Sequence, residues 1–147
     1  MLMSEMDKMR IKSRGVFLTR RGYRVSTGEY SVDFDNGQMK ICVFYERYEN
    51  HQDILIEFPN RKGYYLHFFV LLIEKIDVRN TSPLQKLLVY MDYLERNYDN
   101  LMNQQYCEQC MEIVLQNMET LIKVPEYKNN WKAASISPLA RASEDSA

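Results

Sequence analysis

The dipeptide Asn36-Gly37 constrains the fold of this chain most, because it joins two segments in which apolar and polar residues alternate. Asn-Gly is the strongest short-range signal for a β-hairpin, since a type I′ turn needs two residues with positive φ. A two-residue turn here places the apolar side chains on one face of the hairpin, so the turn and the pattern agree. The predicted cross-strand pairs are Asp35–Gln38, Phe34–Met39, Asp33–Lys40, Val32–Ile41 and Tyr30–Val43.

A third strand is predicted over residues 53–58, with apolar residues at alternate positions. A four-residue loop before it pairs Tyr45 with Ile54 and keeps one core face. A turn at residues 60–63 lets a fourth strand follow. The sequence therefore predicts an antiparallel meander of three to four strands.

A helix is predicted before the sheet, over residues 5–21, with Gly22 in the position of a C-terminal cap. Gly15 lies inside this segment, and a glycine there favours an ordered helix that begins only near Ile11. The residues at helical spacing that we assign to the core are Met6, Met9, Val16 and Phe17.

The second half of the chain is predicted to be helical. Residues 68–76 favour a short buried helix, although a buried strand has the same pattern. The next helix has a clear start, because Ser82 can cap it, Pro83 suits its first position and Gln85 completes a capping box. The two apolar stripes that follow are Leu84, Leu87, Leu88, Met91, Leu94 and Tyr98, and then Cys107, Cys110, Met111, Val114, Met118, Leu121 and Ile122.

These elements predict a single α+β domain over residues 1–126. It comprises an N-terminal helix, the three- to four-stranded antiparallel meander, and two to three C-terminal helices packed on one sheet face. Residues 127–147, which end in an Ala- and Ser-rich stretch, are predicted to form a flexible tail.

Charge and hydropathy narrow the function classes. The formal net charge of −1 gives no overall basic excess, which argues against nucleic-acid binding. Residues 1–30 carry seven basic and three acidic residues, a local excess that a solvated helix face also explains. The longest apolar run, residues 68–73, is far shorter than the roughly 20 residues of a membrane helix. Because the N-terminus also lacks the apolar segment of a signal peptide, we expect a cytoplasmic protein without membrane contact.

Cys107 and Cys110 have the C-x-x-C spacing of zinc and redox sites. Both fall on the apolar stripe of a predicted helix, while Cys42 stands alone in a strand. The two histidines, His51 in a polar loop and His67 at a strand end, have no evident acid or nucleophile partner in the sequence. Free cysteines pack as small hydrophobes, so we predict core cysteines and expect neither a metal site nor a cofactor.

Acidic residues cluster on the non-core face of the predicted sheet. The predicted register puts Glu46 opposite Asp53 and Cys42 opposite Glu57. Paired carboxylates can bind Mg²⁺ or perform acid–base chemistry. The E-x-K motif of restriction-type nucleases is absent, because Glu57 is followed by Phe58-Pro59. Three interpretations stay open, in order of preference: a solvated face, an acidic partner-binding patch and a catalytic metal site.

Phe44 and Leu55 are predicted to pair on this same face, among charged residues. An apolar centre with a charged rim is the anatomy of a protein–protein interface, whereas a covering helix or tail would equally explain the pair. The loop that follows Phe44 adds tyrosines and acids. The predicted partner-binding residues are Phe44, Glu46, Tyr48, Glu49, Asp53, Leu55 and Glu57.

Residues 17–23 read Phe-Leu-Thr-Arg-Arg-Gly-Tyr, and residues 44–50, after the hairpin, read Phe-Tyr-Glu-Arg-Tyr-Glu-Asn. With a helical C-terminal half, this arrangement resembles small bacterial proteins of the polymorphic-toxin immunity type over residues 15–122. The resemblance implies a cytoplasmic protein that binds a cognate toxin and blocks its active site or its entry. Contact residues vary within such families, so the site residues above come from the sheet face alone.

Three functions follow from these observations, in order of preference. The first is a non-enzymatic inhibitor, an immunity protein whose acidic, tyrosine-bearing sheet face binds a toxin domain. The second is a regulatory or adaptor subunit of a bacterial or phage defence system, for which a homo-oligomer formed through the same face is an option. The third is a metal-dependent nuclease that uses Glu46, Asp53 and Glu57.

Overall fold

The computed structural model describes residues 2–47 and 50–122, which form an α+β fold around a five-stranded antiparallel sheet. The strands lie in chain order and are β1 (Arg24–Thr27), β2 (Ser31–Asp35), β3 (Lys40–Tyr45), β4 (Gln52–Glu57) and β5 (Gly63–Tyr65). The helices are α1 (Glu5–Arg14), α2 (Val16–Thr19), α3 (Leu66–Leu72), α4 (Pro83–Arg96), α5 (Tyr98–Leu101) and α6 (Gln104–Ile122). The predicted fold class is confirmed, with one strand more than expected.

The additional strand is β1, which pairs with β2 along its whole length. Its residues are Arg-Val-Ser-Thr, and only Val25 is partly buried. A strand with a single apolar residue shows almost no alternation of apolar and polar side chains, so the sequence pattern does not predict it.

The hairpin at Asn36-Gly37 is confirmed, but its predicted register is wrong by two residues. Phe34 pairs with Ile41, not with Met39. The cause is the Asn36 side chain, whose Oδ1 accepts the backbone N–H groups of Gln38 at 2.9 Å and Met39 at 2.7 Å. This widens the turn to four residues, and because side chains alternate with a period of two, every residue keeps its predicted face.

The register between β3 and β4 is also shifted by two residues. Tyr45 pairs with Gln52 and Phe44 with Asp53, whereas the prediction paired Tyr45 with Ile54. Pairing continues beyond the strands, since the Glu46 N–H donates to the His51 carbonyl at 2.7 Å. Because the shift is an even number of residues, each side chain again stays on its predicted face of the sheet.

The predicted N-terminal helix begins at Glu5, capped by Ser4, and not near Ile11; it breaks at Gly15. A Cβ there would lie 2.4 Å from Cζ of Phe34, so helix and sheet approach each other at a point where only glycine fits. Gly22 ends the segment with φ +89°, as its predicted capping role requires. Of the four residues assigned to the core, only Phe17 is buried. Met6, Met9 and Val16 are 77%, 67% and 38% exposed, so their assignment was wrong.

The C-terminal half follows the prediction more closely. The ambiguous apolar segment, residues 68–76, is helical only as far as Leu72, where α3 ends. The Ser82 side chain caps α4 by accepting the Gln85 N–H at 3.2 Å. Cys107 and Cys110 are free and buried, which confirms that they are core residues. Residues 127–147, predicted to be a tail, lie outside the described residues.

Helices α1, α3 and α4 pack on the sheet, and the core lies between them. The sheet contributes its alternate apolar side chains, which are almost fully buried. In the described part of the chain, every helix is too short or too polar to span a bilayer. The core side chains from the sheet are Val32, Phe34, Ile41, Val43, Tyr45, Ile54, Ile56 and Tyr64, and Phe58 joins them directly after β4.

Candidate functional site

The opposite face of the sheet, called here the outer face, carries a mixture of charged, polar and apolar side chains. Strand alternation places them opposite the core side chains, and all but Asp53 keep partial or full exposure to solvent. The outer face consists of Arg24, Ser26, Ser31, Asp33, Asp35, Lys40, Cys42, Phe44, Asp53, Leu55, Glu57 and Tyr65.

One end of the outer face is a row of alternating charges. Across four strands the paired residues are Arg24, Asp35, Lys40 and Glu57. Opposite charges that face each other across strands are favourable, whereas like charges are not. The acidic patch expected from the sequence is therefore balanced by basic neighbours at this end.

The middle of the outer face is apolar and aromatic. The Phe44 ring makes edge contacts with the rings of Tyr65 and His51, at centroid distances of 6.4 and 6.5 Å. Leu55 pairs with Cys42 on one side and with Tyr65 on the other. Phe44 and Leu55 thus lie on the same face as predicted, but diagonally and not as a direct pair.

Beyond the aromatic centre lies a buried cluster of Asp53, His51 and His67. Asp53 belongs to β4 and is fully buried, and His67 in the first turn of α3 is only 2% exposed. The Oδ1 atom of Asp53 accepts the backbone N–H groups of Ile54 at 2.8 Å and His67 at 3.0 Å. Its Oδ2 atom forms a hydrogen bond with Nδ1 of His67 and lies 3.5 Å from Nε2 of His51.

The surroundings of Asp53 favour its charged form. Burial alone would raise the pKa of this carboxyl, but the charge of His67 and the polar contacts of both imidazoles outweigh burial. The pKa of Asp53 is consequently below its ordinary value. The two histidines are the immediate neighbours of this buried carboxylate.

The cluster also leaves polar atoms without partners in the described structure. Nε2 of His51 and Nε2 of His67 are both buried, and neither makes a hydrogen bond. The His67 ring stacks at 3.9 Å on the ring of Phe68, which fixes its orientation. Unpaired buried nitrogens are costly, so these two are features to be explained.

The histidines were missed by sequence reasoning, although one signal could have found them. The β4–β5 hairpin pairs Leu55 with Tyr65, and two residues further along the same register Asp53 falls opposite His67. His51 joins them because the β3–β4 register ends with Glu46 opposite His51. The predicted register placed Glu46 opposite Asp53 and so gave the carboxylate the wrong neighbour.

The predicted partner-binding residues lie in different environments. Phe44, Leu55 and Glu57 lie on the outer face, and Glu46 is half-buried directly after β3. Asp53 was predicted to contact a partner, but it is buried and its carboxylate is engaged inside the protein. Tyr48 and Glu49 lie outside the described residues.

Two carboxylates of the suggested nuclease site, those of Asp53 and Glu57, do not converge. Asp53 and Glu57 are four positions apart on one strand, which separates them by about 13 Å at the usual rise per residue. Glu57 pairs with Lys40, while Asp53 pairs with Phe44. Asp53 and Glu57 therefore do not form the paired carboxylates that such a site requires.

Comparison of the chain with protein-family models, with curated proteins and with solved structures finds no match.

Proposed function

We propose that this protein is a non-enzymatic, protein-binding inhibitor of the immunity type, which binds a toxin domain through its outer face. The observation that carries the proposal is the partly exposed aromatic centre of that face. Phe44, Leu55 and Tyr65 occupy adjacent strands there, between the charged row at one end and the histidine cluster at the other.

The chemistry of the outer face suits a protein partner. Binding energy at interfaces concentrates in a few central apolar or aromatic side chains, which a polar rim shields from water. Here Phe44 and Leu55 supply the centre, while Asp33 and Glu57 supply rim charges. Glu57 is paired with Lys40, so its charge favours orientation and specificity over simple attraction to a basic surface.

A second apolar surface has to be distinguished from the outer face. Leu2, Met6 and Met9 are exposed by 64%, 77% and 67% on the N-terminal segment and α1. Methionine-rich surfaces are common in adaptable interfaces. A binding experiment therefore needs a variant of each surface.

The first experiment captures the partner from the native host with tagged protein and compares wild type with Phe44→Asp and Met9→Asp. Both substitutions introduce one carboxylate at an apolar position, so Met9→Asp is the matched control. Circular dichroism and thermal melting show whether each variant is folded. We expect a stoichiometric partner that Phe44→Asp loses and Met9→Asp retains.

Affinity and neutralisation then complete the test. For the purified partner, Phe44→Asp should weaken binding at least about 30-fold, the effect of a central interface residue. Glu57→Lys, which leaves the apolar packing alone, should act mainly on the association rate and its salt dependence. Co-expression of the wild-type protein should protect cells from the partner's toxicity.

Three results would overturn the proposal. One is a partner lost with Met9→Asp and retained with a folded Phe44→Asp, which would move binding to α1. Another is a stoichiometric partner without toxicity, which would favour the regulatory or adaptor function. The last is the absence of any specific partner in host extracts.

A further inference from the structure

We propose that His51, Asp53 and His67 form a binding site for a divalent transition-metal ion, with zinc as the first ion to test. One side-chain ligand atom from each of the three residues lies within 4.8 Å of the other two. The three residues come from the end of the β3–β4 loop, from β4 and from the first turn of α3. This inference does not depend on the proposed inhibitor function.

The distances around Asp53 are close to those of a metal site. Zinc bonds to imidazole nitrogen and carboxylate oxygen are about 2.1 Å long, so two ligands at a tetrahedral angle lie about 3.4 Å apart. His51 Nε2 and Asp53 Oδ2 are 3.5 Å apart, which is long for a hydrogen bond but matches this separation. His67 Nδ1 is hydrogen-bonded to the same oxygen, so an ion bound by both atoms would replace this hydrogen bond and separate the pair.

The Asp53 carboxylate is already oriented for such a role. Its Oδ1 atom is occupied by the backbone N–H groups of Ile54 and His67, which leaves Oδ2 directed at the two imidazoles. Metal ligands usually have such supporting hydrogen bonds, which fix the ligand in its binding orientation. The fold thus places Oδ2 of Asp53 between one nitrogen of His51 and one nitrogen of His67.

A bound cation would also supply a bond to Nε2 of His51. This nitrogen is buried, makes no hydrogen bond in the described structure and lies 3.5 Å from Oδ2 of Asp53. An ion between the two groups would turn this contact into two bonds.

The ligand types select the class of ion. Two imidazoles and one carboxylate suit zinc and other first-row transition metals, whereas Mg²⁺ and Ca²⁺ prefer oxygen ligands. Three protein ligands leave at least one coordination position for water or a partner group. That position would open beside His51, whose side chain is 13% exposed and touches Phe44 of the outer face.

The chain makes this site easy to test, because His51 and His67 are its only histidines. Tag-free protein, freed of metal with a chelator, is titrated with Zn²⁺ and with Mg²⁺ by calorimetry. Co²⁺ serves as a spectroscopic probe, since its visible absorption distinguishes nitrogen and oxygen ligands from thiolates. We expect one equivalent of Zn²⁺ to bind, no comparable binding of Mg²⁺, and a Co²⁺ spectrum without thiolate charge-transfer bands.

Three single-residue variants test which side chains bind the metal ion. His51→Ala removes a partly exposed ligand and should weaken Zn²⁺ binding by at least about tenfold while the fold persists. Asp53→Asn keeps the acceptor for the two backbone amides and removes the charge, and should also weaken binding. Cys42→Ser is the matched control for adventitious thiol binding and should leave the affinity unchanged.

The proposal fails if metal-free wild-type protein shows no saturable Zn²⁺ binding. It also fails if folded His51→Ala binds Zn²⁺ as tightly as wild type, which would leave a purely hydrogen-bonded His–Asp–His cluster. Binding that persists in His51→Ala and shows thiolate bands with Co²⁺ would move the site to the cysteines. If Asp53→Asn does not fold, His51→Ala alone decides the question.

Discussion

Asp53 and His67 lie opposite each other where the β4–β5 hairpin passes into α3, and the carboxylate binds His67 with both oxygens. Oδ1 accepts the His67 backbone N–H at 3.0 Å, and Oδ2 is hydrogen-bonded to Nδ1 of the ring. The pair therefore fixes the start of α3 to β4. Removing one partner of a buried charged pair leaves the other unpaired, which usually costs more than the pair itself contributes.

Replacing Asp53 by Ala should destabilise the protein strongly. The substitution leaves two backbone amides and the His67 ring without their acceptor, so we expect the free energy of unfolding to fall by about 3 kcal/mol or more. Urea denaturation in chelator-containing buffer measures this loss without a metal contribution. Glu112→Ala, on the exposed surface of α6, is the control and should stay within about 0.5 kcal/mol of wild type. A loss below 1 kcal/mol for Asp53→Ala would contradict the structural role.

Replacing Gly15 by Ala should also destabilise the protein, for a steric reason. The φ of Gly15 is −84°, so alanine is conformationally acceptable there and would otherwise favour the helix. The added Cβ would lie 2.4 Å from Cζ of Phe34, whose ring is fully buried and cannot easily move. We expect a loss of about 1–3 kcal/mol in the free energy of unfolding, measured by denaturant titration.

Gly28→Ala is the matched control for that substitution. Gly28 is exposed, and its Cβ would meet only Oγ of Ser31 at 3.2 Å, the end of a side chain that can rotate. Its stability should remain near that of wild type. Equal effects at both positions would show that chain entropy, and not contact with Phe34, determines the result.

The sequence predicted which side chains face the core more reliably than it predicted which residues pair. Both registers shifted by two, and an even shift leaves the alternation untouched. The shift at the first hairpin arises from the side chain of Asn36, which binds the backbone of Gln38 and Met39. The hydrophobic pattern fits a two-residue turn and a four-residue turn equally, so it could not predict which of them forms.

The histidine cluster was less accessible from the sequence, because its members meet only through correct registers on both sides of β4. His51 and His67 each look isolated in the chain, and Asp53 alternates like any outward-facing residue.

The exposure of side chains on α1 was also predicted wrongly, because the sequence does not show which side of the helix meets the sheet. Met6 and Met9 fit a helical stripe, but the sheet meets the opposite side of the helix, where Ile11 is fully buried.

The turn at Asn36 gives a prediction that separates the observed register from the two-residue turn. Asn36→Ala removes the acceptor of two backbone N–H groups and should cost about 1 kcal/mol in the free energy of unfolding. Asn36→Asp keeps an oxygen in the same place and should lose clearly less. Thermal or urea unfolding of both variants provides the comparison. Equal losses would mean that the side-chain oxygen does not stabilise the turn.

The three thiols should react slowly in the native protein. Burial, with the charges of Cys110 and Glu108, raises the pKa of Cys107 to about 12, and burial also raises the pKa of Cys110. Burial and a hydrogen bond with Asp33 raise the pKa of Cys42. Since the thiolate is the reactive form, a disulfide reagent at about pH 8 should find little of it.

Timed labelling with such a reagent, followed by mass spectrometry, gives the order of reaction. Cys42 is half-buried on the outer face and should react first, whereas Cys107 and Cys110 are buried and should react only as the protein unfolds. In denaturant all three should react together and rapidly. Fast labelling of Cys107 or Cys110 in native protein would contradict their placement in the core, because a reactive C-x-x-C pair must be exposed and ionised.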